Sequence, residues 1–131
     1  MNFLSDLFDC SERAPEIEAA ISSMAEYGET GRGAIFTRPE VVDAILDLCG
    51  YRSERPLHRM RLLEPSFGAG EFLLRAAQRL WLAFLNDGGS PEKAVEALRG
   101  AIMGVELHPA TFELTAKELW VSTGRIRHVG R

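Results

Sequence analysis

The stretch that most constrains the fold is Leu62-Leu63-Glu64-Pro65-Ser66-Phe67-Gly68-Ala69-Gly70: a short apolar run ending in an acid, then a proline and two glycines. Met60, Leu62 and Leu63 suit a buried parallel strand over 60–64. A helix over 70–85 follows at once, so the glycine loop must turn the chain from strand to helix within a few residues. After Asp87-Gly88-Gly89, the run Ser90-Pro91-Glu92 predicts a short helix over 91–98, stopped at Gly100. A second strand over 101–105 and a helix over 110–122 complete the series. Strands alternating with helices predict an α/β fold with a parallel sheet, which binds ligands outside the carboxyl ends of its strands.

Upstream, Pro15 to Tyr27 places Ile17, Ala20, Ile21 and Met24 on one face of an acidic amphipathic helix that ends at Gly28. Thr37-Arg38-Pro39-Glu40 reads as a capping box opening a helix over 38–49, with Val41, Val42, Ile45, Leu46 and Leu48 as its buried stripe. Residues 51–59 are polar and contain Pro56, as expected of a surface connection. Two units are expected: an acidic helical segment over 1–30 and an α/β domain over 31–131.

Composition narrows the function. The net charge of −4 is uneven, −7 over residues 1–51 and +3 over residues 52–131, and the basic residues of the second part are dispersed. That speaks against a stand-alone nucleic-acid binder, which needs a concentrated basic surface. There is no run of eighteen apolar residues, and Met1-Asn2-Phe3-Leu4-Ser5-Asp6 is not the start of a secretory signal. A cytoplasmic protein with Cys10 and Cys49 as reduced thiols is expected. His58, His108 and His128 lack ligand spacing with either cysteine, so no metal site is expected. No Gly-x-Ser-x-Gly elbow is present. Trp81, Phe84, Phe112 and Trp120 fall on helices and are expected to pack in the core.

The loop after the first strand is the candidate ligand site. Gly68 and Gly70 let the backbone pass close beneath a ligand and offer main-chain N–H groups at a helix N-terminus. Leu73 stands where G-x-G-x-x-G requires its third glycine, and no Gly-Lys-Ser/Thr ending follows, so neither a dinucleotide nor a nucleoside-triphosphate loop is indicated. Glu64 and Glu106 end successive strands and flank one cleft. A carboxylate at the second position is suited to accept hydrogen bonds from a ribose diol.

The run Leu62 to Leu73 resembles the first motif of adenine-specific DNA methyltransferases of restriction-modification systems, an acid-Pro-x-x-Gly-x-Gly-x-Phe-Leu pattern. Arg32-Gly33-Ala34-Ile35-Phe36-Thr37-Arg38-Pro39-Glu40-Val41-Val42 resembles the aromatic-Thr-x-Pro motif that precedes the first strand in permuted members. Gly104-Val105-Glu106-Leu107-His108-Pro109 resembles their acidic second motif. The three together cover roughly residues 28–123. The resemblance implies a Rossmann-like class I methyltransferase fold, incomplete within these residues, that binds S-adenosylmethionine. Thr37, with Phe36 and Gly33, would hold the methionine end; Thr37 read from the residues alone is equally a helix cap. Glu64, Ser66, Phe67, Gly68 and Gly70 would form the loop beneath methionine and ribose, with Glu64 toward the ammonium group. Glu106 would bind the ribose hydroxyls and Leu107 would pack on the adenine ring.

The family's catalytic Asn/Asp-Pro-Pro-aromatic loop, which holds a base flipped from the duplex, has no counterpart here: none of the six prolines adjoins another. No catalytic residue is therefore assigned. Residues 126–129 are expected to begin a third strand, and DNA would be met by regions absent from this chain. Uncovered apolar sheet surface is expected as a result. Two alternatives stay open. One is a split or non-catalytic subunit binding cofactor or only a partner polypeptide; the other is a methyltransferase acting on RNA or protein.

Overall fold

The computed structural model describes Ala19 and residues 37–124, with side chains through Leu119. Apart from Ala19, which is helical, the helix predicted over 15–27 lies outside the described residues, as do Gly33, Phe36 and residues 126–129.

Helix α1 (Pro39–Leu48) starts with proline in its first turn, and its N-cap is Arg38, extended at φ −61° and ψ 145°. No side chain caps this end, so the expected capping box does not form. The reason is steric: Pro39 drives the residue before it out of helical conformation, which moves Thr37 one place beyond the cap. The stripe expected on α1 is also only partly buried. Val42 and Leu46 are inside, one turn apart, whereas Val41, Ile45 and Leu48 face outward. A helix packed against a single neighbour buries little more than one i, i+4 row.

The connection after α1 was expected at the surface, but it contributes to the core. Tyr51 and Leu57 are buried, Leu57 completely, and Leu57–Arg59 form a 3₁₀ turn. Polar neighbours masked two residues large enough to anchor a loop. The Tyr51 hydroxyl has no hydrogen-bond partner among the described residues, and burial pushes its pKa up to about 12. Folding thus favours the neutral phenol. The contribution is present below the unfolded value near 10 and is lost as pH rises through about 12. Tyr51→Phe should therefore leave stability unchanged or raised at pH 7. At high pH it should abolish an alkaline destabilisation of about 2–3 kcal/mol, read as an upward shift of the alkaline unfolding midpoint.

Strand β1 (Leu62–Glu64) leads through the glycine loop into α2 (Glu71–Asn86); α3 (Pro91–Ala101) then runs straight into β2 (Ile102–Gly104), and α4 (Pro109–Gly124) follows. The strands pair in parallel, with Leu62, Leu63 and Glu64 opposite Ile102, Met103 and Gly104. This is a mixed α/β arrangement, as expected from the alternation. Both strands are shorter than predicted, and α3 outruns its predicted end by continuing through Gly100 to Ala101. Gly100 is tolerated inside the helix because the stop comes from Ile102, whose extended backbone belongs to the sheet.

The core is organised around α2. Leu73, Leu74, Ala76, Ala77, Leu80, Trp81 and Ala83 are all buried, a width that only a helix with neighbours on several sides can show. Alanines at 76, 77 and 83 let those neighbours approach closely, and Trp81 fills the space between them. Ala94, Leu98 and Ala101 of α3 close one side; Val42 and Leu46 close the other. Leu62 and Ile102 turn toward this core, so their alternates Leu63 and Met103 point to the opposite face, 60% and 65% exposed. The uncovered apolar surface expected from the sequence is thus present. No helix among the described residues is long and apolar enough to cross a membrane.

Candidate functional site

The site is built where β1 and β2 end. Beyond the strands, the Val105 N–H donates to the Glu64 carbonyl at 2.8 Å, and the Phe67 N–H donates to the Val105 carbonyl at 3.1 Å. These two bonds stitch the glycine loop to the segment leaving β2. Phe67 turns its ring inward, buried against Gly104 and 5.6 Å from the Phe112 ring. A Cβ at Gly104 would come within 2.8 Å of the Phe67 ring, so the glycine at the end of β2 is what lets the loop lie down on the sheet.

Both loop glycines have left-handed backbone, φ 52° at Gly68 and 87° at Gly70, where Gly70 caps α2. The sequence predicts free N–H groups here; the Gly68 N–H is instead engaged. It donates to Oε2 of Glu106 at 3.0 Å, while Oε1 of the same carboxylate accepts from the His108 N–H at 2.9 Å. The Gly68 carbonyl accepts from the Thr115 hydroxyl at 2.8 Å. One residue of the loop is thus gripped from both sides, by an acid after β2 and by a buried threonine on α4. The N–H of Gly70 closes a tight turn onto the Phe67 carbonyl at 2.7 Å.

Glu64 bends over its own turn, with Oε1 accepting from the Ser66 N–H at 3.3 Å. Glu64 and Glu106 are both half-buried where the strands end, at the mouth of the loop, whereas Leu107 beside Glu106 is 85% exposed. A carboxylate has about four lone-pair sites, so Glu106 holding two backbone N–H groups keeps acceptor capacity for a diol. Two acids and no described basic side chain bound to either make this mouth suited to a cationic ligand. Thr37 is half-buried and its hydroxyl caps nothing.

The structure therefore brings together Glu64, Ser66, Phe67, Gly68, Gly70, Glu106 and Leu107. It turns the Phe67 side chain away from the mouth and into the support beneath. Sequence reasoning missed Thr115, whose hydroxyl-bearing side chain is buried at 2% exposure. Its signal was a β-branched hydroxyl inside a helix, a residue type that earns burial only with a partner. An apolar cavity of about 270 Å³ lies under the loop, lined by Phe67, Leu73, Leu98, Ile102, Phe112 and Leu119. It excludes both carboxylates and belongs to the core side of the loop. Among the described residues no group of three His, Cys, Asp or Glu is placed to hold a metal ion. Trp81 packs in the core as expected, while Phe112 is 45% exposed because α4 lacks a neighbour on its outer side among the described residues.

No family profile matches the chain, and no solved structure matches it. Curated relatives do. It is 51% identical over 104 residues to a type II methyltransferase of Pseudomonas aeruginosa, covering 77% of this chain and 17% of the relative. It is 44% identical over 91 residues to a type II methyltransferase of Xanthomonas vasicola, covering 70% and 16%. A type II methyltransferase of Geobacillus stearothermophilus is 41% identical over 81 residues, covering 62% and 14%. The chain spans about a sixth of the length of the curated relatives it matches. Identity of 41–51% over 62–77% of the chain shows that it belongs to the family of type II methyltransferases of restriction-modification systems.

Proposed function

We propose that this chain forms the S-adenosylmethionine-binding part of a DNA adenine methyltransferase of Rossmann-like class I fold. The observation that carries the reading is the Glu106 carboxylate, held over Gly68 by the loop's own N–H with acceptor capacity to spare for a ribose diol. S-adenosylmethionine supplies an electrophilic methyl group on a sulfonium centre, and its ammonium and sulfonium charges suit a mouth flanked by two carboxylates. Glu64 meets the ammonium group, directly or through water. Ser66, Gly68 and Gly70 form the floor beneath methionine and ribose, with Phe67 supporting that floor from below. Leu107 offers its exposed side chain to the adenine ring. Thr37, with Phe36 and Gly33, closes the methionine end.

Catalysis requires a loop that holds the target amino group, and no Asn/Asp-Pro-Pro-aromatic sequence occurs in this chain. In this reading that loop, and contact with DNA, come from further polypeptide, in the same chain or from a partner. The exposed Leu63 and Met103 favour such an addition, since parallel sheets are covered on both faces. The setting is the cytoplasm.

Calorimetry tests the binding reading: the chain should take up S-adenosylmethionine at one site per molecule. A labelled-methyl assay on duplex DNA should register no transfer by the chain alone. Absence of any binding heat or saturable uptake would remove the cofactor assignment, and reproducible transfer would show that the chemistry needs nothing beyond these residues.

A further inference from the structure

Asp43 and Asp47 sit one turn apart on α1, and Arg75 and Arg79 one turn apart on α2. Arg75 donates to Asp43 at 2.8 Å; Arg79 donates to Asp43 at 3.0 Å, to Asp47 at 2.6 Å, and to the carbonyls of Tyr51 at 2.9 Å and Asp43 at 3.2 Å. Arg79 is mostly enclosed, its side chain 17% exposed. Burial alone would lower its pKa, but the hydrogen bonds and charges of Asp47 and Asp43 outweigh it and hold the guanidinium charged.

The order of the pairs fixes direction. Later residues of α1 and its connection meet later residues of α2: Asp43 with Arg75, Asp47 with Arg79, and Ser53 with Asn86. The two helices therefore run the same way, with their N-termini at the same end of the molecule. Pro39 and Glu71, the first residues of α1 and α2, each precede their partner of the first ion pair by four residues, so at ~1.5 Å per residue both helices begin about 6 Å beyond that pair, with Thr37 just before one start and Gly70 just before the other. A fork that binds two carboxylates and two carbonyls admits one register; a slip by one turn would displace Thr37 by about 5 Å.

We propose that Arg79, with Arg75, Asp43 and Asp47, is a positioning device that sets Thr37 against the glycine loop for cofactor binding. The inference rests on the cofactor reading given above. Arg79 touches no ligand and acts through Thr37.

A double-mutant cycle with S-adenosylmethionine as the probe tests it on the full chain. Thr37→Ala and Arg79→Met should each weaken binding about tenfold, and the double variant should bind no worse than either single one. Arg79→Lys, a point charge without the fork, should recover only part of the loss. Leu57→Ala, which destabilises the core in the connection after α1 and lines no part of the cavity under the loop, should leave affinity unchanged and so separates positioning from general loosening. Should Arg79→Met fail to fold, Asp47→Asn carries the same cycle. Independent, multiplicative losses of about a hundredfold, or wild-type affinity in Arg79→Met, would overturn the positioning role while leaving the cofactor site standing. A wild-type chain that binds no cofactor overturns both.

Discussion

Gly70→Ala should lower folding stability by about 3 kcal/mol, a fall of roughly 10 °C in the thermal midpoint, whereas Gly68→Ala should cost about 1 kcal/mol. Both glycines have left-handed backbone, so both substitutions carry the same conformational cost. Their surroundings differ. A Cβ at Gly70 would stand 2.5 Å from Cγ2 of Thr115 and 3.3 Å from Leu74, while a Cβ at Gly68 would meet nothing within 4 Å. Thr115 cannot retreat freely, because its hydroxyl is bound to the Gly68 carbonyl and its side chain is buried. Relieving the clash therefore moves α4 off the loop or breaks that bond. Thermal and urea unfolding of the two variants side by side measures the contrast. Equal losses would mean that α4 does not seat against the loop as described.

The second large effect concerns affinity. Glu106→Ala should weaken S-adenosylmethionine binding about a hundredfold, because it removes the proposed ribose acceptor and also releases the loop. Glu106→Gln is the sharper probe. The amide retains one oxygen but directs an NH₂ at one of the two N–H groups that the carboxylate now satisfies, Gly68 or His108. Its stability loss should be about 1 kcal/mol and its affinity loss still at least tenfold. Isothermal calorimetry gives the affinity and thermal unfolding the stability. If Glu106→Gln binds as tightly as wild type, the carboxylate holds the loop and nothing more.

How much of this could be read in advance depends on the range of the interactions. The turn at 65–70 was legible because strand, proline, glycines and helix follow one another along the chain, and Gly68 and Gly70 do adopt the left-handed backbone their positions imply. Glu64 and Glu106 were found as strand-end acids by the same local logic. The capping box was not borne out, since Pro39 overrode the pairing of Thr37 with Glu40 by displacing Arg38. Tyr51 and Leu57 were missed because burial depends on what lies above a loop, and local polarity carries no record of it.

The sequence by itself determined the order of elements, the position of the glycine turn and the identity of the acids at its mouth, because each depends on residues a few places apart. Only the tertiary structure decided what those groups do to one another: Glu106 reaching back 38 residues to Gly68, Thr115 reaching back 47 to the same glycine, and Arg79 reaching back to Asp43 and Asp47. Such pairings are selected by how α1, α2 and α4 pack around one loop, and side-chain hydrogen bonds across that distance leave no periodic trace in the chain.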